Sequence, residues 1–110
     1  MSIPTGTPDI LKAYFDASNA HDIDRITACF AGDARVRDEG EDITGHPAIA
    51  AWARKVRDKY NATARILSHE ARDGADFVTA KVSGTFPGSP IELTYRFGVS
   101  GGKITSLAIA

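Results

Sequence analysis

Apolar positions change period once along this chain, and the change divides it into a helical part and a stranded part. From Asp9 to Ala20, Ile10, Leu11, Tyr14 and Phe15 recur at helical spacing, which predicts a first helix. Asn19-Ala20-His21 reads as a break. Asp22 then suits the N-cap of a short second helix that carries Ile23, Ile26, Cys29 and Phe30 and stops at Gly32-Asp33. Ala34 to Glu39 alternates instead. Ala34, Val36 and Asp38 share one face of a short strand, and Arg35, Arg37 and Glu39 share the other. Glu41 to Gly45 reads as a polar connection, with His46 at the N-cap of a third helix. Pro47 fits the first turn of that helix, because its missing N–H would have no partner there. Ile49, Trp52, Ala53, Val56 and Tyr60 give the helix one apolar stripe.

The remainder reads as four strands. Ala62–Arg72 and Phe77–Phe86 flank an Asp73-Gly74-Ala75 turn, and Pro87-Gly88-Ser89-Pro90 marks the next turn. Ile91–Val99 and Lys103–Ile109 are joined by Ser100-Gly101-Gly102, a good hairpin loop. Consecutive strands with short turns form an antiparallel meander. The expected class is therefore α+β: three N-terminal helices on one face of a curved antiparallel sheet.

A chain of 110 residues has room for a single domain, spanning 1–110, with a core that needs no disulfide or metal staple. Cys29 is the only cysteine, so no internal disulfide can form, and beside Phe30 it reads as a buried structural thiol. The 13 basic and 14 acidic residues are interspersed with a net charge of -1, which argues against a nucleic-acid surface. No long apolar run suggests a membrane span and no leader pattern is visible, so the cytoplasm is the expected location. His21, His46 and His69 lie far apart, without metal-ligand spacing.

Three stretches carry a family likeness: Tyr14-Phe15-Asp16-Ala17-Ser18-Asn19-Ala20-His21-Asp22-Ile23-Asp24, Phe30-Ala31-Gly32-Asp33-Ala34-Arg35-Val36-Arg37-Asp38, and Gly45-His46-Pro47-Ala48-Ile49-Ala50-Ala51-Trp52. With the element order, they resemble the nuclear transport factor 2-like (NTF2-like) superfamily, which includes ketosteroid isomerases and SnoaL-like polyketide cyclases. The C-terminal half matches in strand layout and in Tyr95-Arg96-Phe97 ahead of Gly-Gly-Lys. The resemblance implies a cone-shaped, cystatin-like fold, a pocket between the sheet and the helices, and a homodimer formed through the sheet. It does not imply one activity, since this scaffold hosts many.

Asp38 is the sharpest chemical signal. Its strand phase turns it inward with Ala34 and Val36, where desolvation would lift its pKa toward that of a general base. The alternative is a carboxylate at the strand end that caps the Glu39-Gly40 turn. Tyr14 lies on the helical face of Ile10, Leu11 and Ser18. The isomerase likeness makes it a hydrogen-bond donor paired with an Asp38 base; otherwise it is a core aromatic. The likeness also calls for a second, protonated acid before the last hairpin. That place falls on Leu93 counting from Tyr95-Arg96-Phe97 and on Thr94 counting from Gly102-Lys103, and neither is an acid.

Phe30, Trp52, His69, Leu93 and Tyr95 are the remaining pocket candidates. Trp52 reads as pocket wall or core, and His69 as inward-facing with Leu67 and Ala71 or as a hydrogen-bonded core histidine. Two functions stay open. One is a binding module for an apolar small molecule. The other is an isomerase- or cyclase-like enzyme with Asp38 as base and Tyr14 as donor. Neither requires a cofactor or metal.

Overall fold

Asp22 caps a helix as its side chain predicts: its Oδ1 accepts from the Arg25 N–H at 3.1 Å. That cap belongs to a computed structural model, which describes residues 6–110. The elements run α1 (Asp9–Asn19), α2 (Ile23–Ala28), β1 (Phe30–Asp38), β2 (Glu41–Thr44), α3 (His46–Tyr60), β3 (Thr63–Arg72), β4 (Ala75–Ser83), β5 (Ile91–Ser100) and β6 (Lys103–Ile109). The strands form one sheet in the order β2-β1-β6-β5-β4-β3.

Two elements differ from the sequence reading. The second helix ends at Ala28, with Cys29 as its C-cap, so Phe30 opens β1 instead of closing α2. Glu41–Thr44 is a strand, not a polar connection. It pairs antiparallel with β1, Val36 opposite Ile43 and Asp38 opposite Glu41. Only Glu39 and Gly40 remain between the strands, both at positive φ (53° and 78°), which is the two-residue turn that matches strand twist. Gly, Asn and Asp dominate such turns, so a glutamate at positive φ gave no warning of a hairpin. At the head of α3, Gly45 holds the N-cap place and His46 is the first helical residue, its Nε2 2.8 Å from the Phe30 carbonyl oxygen.

The sheet is also not wholly antiparallel. The four C-terminal strands pair antiparallel as expected, but β1 lies parallel to β6, with Val36 opposite Leu107. Register shifts interrupt β1/β6, β3/β4 and β5/β6. Such bulges bend strands and turn side chains over. The shift in β3 falls between Ile66 and Ser68 and gives that strand one extra residue. Ile66, opposite Ala80, and His69, opposite Val78, therefore share the inner face despite their odd spacing.

The helices cover the face that carries Val36, Ile43, Val78, Ala80, Phe97 and Leu107, all buried. Phe30, Phe97, Leu11 and Ile104 are at most 2% exposed. At about 1.5–3 kcal/mol for each such side chain, this apolar layer outweighs the scattered surface ion pairs, worth about 0–1 kcal/mol each. Arg35, Arg37, Thr94 and Arg96 point to the opposite face. Among the described residues no helix is long and apolar enough to cross a membrane.

Candidate functional site

Between the helices and the inner sheet face lies a cavity of about 370 Å³. Its walls are mainly apolar: Ile23 and Ile26 from α2, Val56 from α3, Val82 from β4, Leu93 from β5 and Ile109 from β6. Polar groups enter at a few points, chiefly Tyr14, Asp38 and Tyr95, with Glu39, Arg57 and Tyr60 as a polar side.

Two side chains, Asn19 and His21, tie the helical layer to the start of β3 and so shape the cavity. Asn19 donates through Nδ2 to the Ala64 carbonyl at 2.9 Å and accepts from the Ala64 N–H at 2.7 Å. His21 Nε2 lies 2.9 Å from the Ala62 carbonyl oxygen. At the far end of α3, the Tyr60 carbonyl accepts from the Thr85 N–H at 3.0 Å, so close to Gly84 that a Cβ there would collide with the same oxygen. In the sequence, Asn19 and His21 mark a helix break and give no sign of these bonds. Their partners lie more than forty residues away, and no local pattern announces them.

Asp38 ends β1, half-buried, on the face of Ala34 and Val36. Trp52, from the middle of α3, donates its indole N–H to Asp38 Oδ2 at 3.0 Å. Burial lifts the carboxyl above its usual range; the Trp52 bond and the Glu39 N–H pull it back, and the charges of Glu39 and Glu41 push it up again. The net direction is upward. The group faces the cavity and also accepts from its own turn. Arg35 and Arg37 lie exposed on the other face.

The neighbouring acid is set the other way. Glu39 is exposed, accepts from the Tyr60 hydroxyl, and has Lys59 Nζ at 3.5 Å. The Tyr60 bond is the largest cause holding its carboxyl below the usual range. Glu39 thus stays charged while Asp38 is eased toward protonation.

Tyr14 lines the cavity and is 4% exposed; Tyr95 lines it and is 7% exposed. Burial raises both phenol pKa values, and the Asp38 carboxylate raises them further, so both rings stay protonated at neutral pH. Leu93 also lines the cavity, half-buried. Thr94 is exposed, and its N–H donates to the Ala110 carbonyl at 2.9 Å. The inward place anticipated for a second acid is therefore the leucine.

Two pocket candidates fall outside the cavity. Phe30 is 2% exposed in the core, edge-on to the Tyr14 ring at 5.8 Å. Because it starts β1 it supports Tyr14 from behind instead of lining the space. His69 does face inward, but its Nε2 lies 2.8 Å from Asp76 Oδ1 and it does not line the cavity. Cys29 is buried, its thiol donating to the Arg25 carbonyl at 3.3 Å. Burial pushes that thiol's pKa up, leaving a poor nucleophile. No group of three or more His, Cys, Asp or Glu among the described residues could hold a metal ion.

A family model for the SnoaL-like domain matches residues 11–107, a span that contains Tyr14, Asp38, Trp52, Leu93 and Tyr95. The chain belongs to that family. A candidate polyketide cyclase from Sinorhizobium meliloti is 41% identical to this SnoaL-like domain, with 94% of each chain covered and a TM-score of 0.89. A protein of ketosteroid isomerase-like fold from Catenulispora acidiphila, in complex with trimethylamine, is 22% identical, with 94% of this chain and 85% of that one covered and a TM-score of 0.83. A nuclear transport factor 2-like protein from Cytophaga hutchinsonii is 13% identical, with 100% and 93% covered and a TM-score of 0.78. The last two show the fold alone. No curated protein gives a significant match. The expected superfamily and cone-like α+β architecture thus hold for this SnoaL-like domain.

Proposed function

We propose that this SnoaL-like domain binds an apolar carbonyl compound in its cavity and moves a proton on it, with Asp38 as base and Tyr14 as hydrogen-bond donor. The observation that carries the reading is Asp38 itself: a half-buried carboxyl facing an apolar cavity, its pKa raised chiefly by desolvation. In the reaction, a C–H bond beside the ligand's carbonyl breaks and its proton passes to an Asp38 oxygen. The C–H electron pair forms the enolate carbon–carbon bond, and the carbonyl π pair moves onto oxygen, where the neutral Tyr14 hydroxyl donates to it. Returning the proton to carbon restores Asp38. No external reductant or oxidant enters this balance, so the chemistry calls for no cofactor. The name borne by the Sinorhizobium meliloti relative supports the ligand class, because polyketides are carbonyl compounds with acidic C–H bonds.

The test uses 2-tetralone, a bicyclic ketone, incubated with protein in D2O while NMR follows deuterium entering its acidic positions. Exchange above the buffer rate, lost in Asp38→Asn, supports the reading. No exchange above buffer, or exchange indifferent to Asp38→Asn, overturns it. A second reading, a carrier without turnover, is favoured by one observation: Trp52 and the Glu39 N–H already occupy part of the Asp38 carboxyl's accepting capacity. Binding of the ketone without exchange is its signature. In either reading the chain works as one domain, as a homodimer joined through the outer sheet face, and in the cytoplasm, where the lone thiol stays reduced.

A further inference from the structure

Tyr14 and Tyr95 come from opposite layers of the fold, α1 and β5, yet the same two phenylalanines hold them. Phe15 meets the Tyr14 ring edge-on at 5.2 Å and the Tyr95 ring edge-on at 5.1 Å. Phe97 lies 5.5 Å from Tyr14, steeply inclined, and 6.1 Å from Tyr95, nearly parallel. Shared packing of this kind fixes both rings where they line the same cavity.

Neither hydroxyl has a hydrogen-bond partner among the described residues, although both residues are more than nine-tenths buried. No buried side-chain oxygen or nitrogen is left without a partner in that same set. The two statements agree only if the hydroxyls reach the cavity surface instead of ending in closed protein. A buried phenol normally finds an acceptor. Two that do not, meeting at one apolar cavity, leave donor capacity for something that enters it.

We infer that Tyr95 is the second hydrogen-bond donor of this site, so that Tyr14 and Tyr95 together receive one oxygen of the ligand. This rests on the reading of Asp38 as base and deepens it by naming what stabilises the charge Asp38 creates. Tyr95 takes over the task of the acid absent at Leu93, from two residues further along the same strand face. A pair of neutral phenols favours an oxygen that becomes negative only after Asp38 has accepted a proton. Before transfer the carboxylate charge opposes an anion; after transfer that opposition is gone, and both donors face an enolate. The ligand class is accordingly a ketone or related carbonyl compound that forms an enolate, not a permanent carboxylate or phosphate.

The test measures binding of 4-nitrophenolate, a stable aryl oxyanion whose absorption reports its charge. The host is Asp38→Asn, which stands in for the protonated acid. Tyr14→Phe and Tyr95→Phe in that host should each weaken binding by about tenfold or more. The wild type should bind the anion more weakly than Asp38→Asn. A second measurement avoids substitution at the tested residue. The chain has 3 tyrosines, so uniform 3-fluorotyrosine labelling gives three fluorine signals, assigned through single Tyr→Phe variants. The Tyr14 and Tyr95 signals should both shift on adding the probe to labelled Asp38→Asn.

Loss of affinity in Tyr14→Phe with none in Tyr95→Phe, or a Tyr95 signal that stays still while Tyr14 moves, overturns this inference and leaves the Asp38–Tyr14 reading standing. Failure of Asp38→Asn to bind the probe at all overturns the two-donor site. The deuterium exchange of 2-tetralone then decides separately whether Asp38 acts as a base.

Discussion

Trp52 Nε1 donates to Asp38 Oδ2 at 3.0 Å, linking the middle of α3 to the last residue of β1 at the cavity wall. The bond holds the carboxyl in position while leaving apolar surroundings to lift its pKa. It also opposes that lift, since a hydrogen bond to the ionised form favours ionisation.

Removing the indole donor should therefore move Asp38 further up. In Trp52→Phe the carboxyl loses its side-chain donor but keeps an aromatic neighbour. Carboxyl titration by NMR should give an Asp38 value above the ordinary 3.8 in the wild type and higher again in the variant. The stability cost should be near 1 kcal/mol, the usual net worth of one such bond. A wild-type value at or below 3.8 would remove the basis for Asp38 as a base.

Stability should follow the same group with a definite sign. Asp38 holds its proton to higher pH when folded than when unfolded, so between the two pKa values the native state binds more protons. Its contribution is therefore lost as pH rises from 3.8 through the raised folded value. Asp38→Asn, neutral at every pH, should melt above the wild type at pH 7, and the gap should close as pH falls toward that lower limit. Thermal melts across pH 3–8 check this; a variant less stable at pH 7 than at pH 3, relative to wild type, would contradict it.

The Asn19 clamp should be costly to lose. Asn19→Ala removes both bonds to Ala64 and leaves a partly buried N–H and C=O unmet. A loss of about 1–3 kcal/mol is expected in urea unfolding. Faster amide exchange should appear at Ala64 rather than at the outer strand β2.

The sequence carried the layered architecture because its signals are local. Helical spacing in Leu11, Tyr14 and Phe15, the Asp22 cap, and the Asp73-Gly74 and Gly101-Gly102 turns each act within a few residues. Asp38 was legible for the same reason, through strand alternation beside Ala34 and Val36. What stayed hidden depends on distant partners or on an irregularity. The bulge at Leu67 decides which way His69 turns, and no residue type there marks it. Phe30 sits one residue past the helix end, where its apolar side chain fits either element. Tyr95 was visible as a pocket candidate; its open hydroxyl depends on Phe15, Phe97 and Tyr14, all far away in sequence.

The outer sheet face should join two copies. It carries Phe77, half-buried, with the Arg72 guanidinium 4.3 Å and the Arg96 guanidinium 5.9 Å from the ring centroid. Sedimentation should find a dimer at micromolar concentration. Phe77→Glu should shift it toward monomer by at least about tenfold in dissociation constant, as expected when an aromatic contact is replaced by a charge. A wild-type monomer at that concentration would rule the contact out.

The parallel pairing of β1 with β6 governs when the cavity can first exist. Val36 meets Leu107 across 71 positions of chain, and β6 must slot between β1 and β5 to complete the sheet. Such distant closure is slow, because the loop entropy is lost before the contacts repay it. The hairpins β3–β4 and β4–β5 can form early from neighbouring residues. Asp38, waiting on β1, then shares a cavity with Tyr95 only once β6 has paired between β1 and β5, so the binding space closes together with that distant pairing.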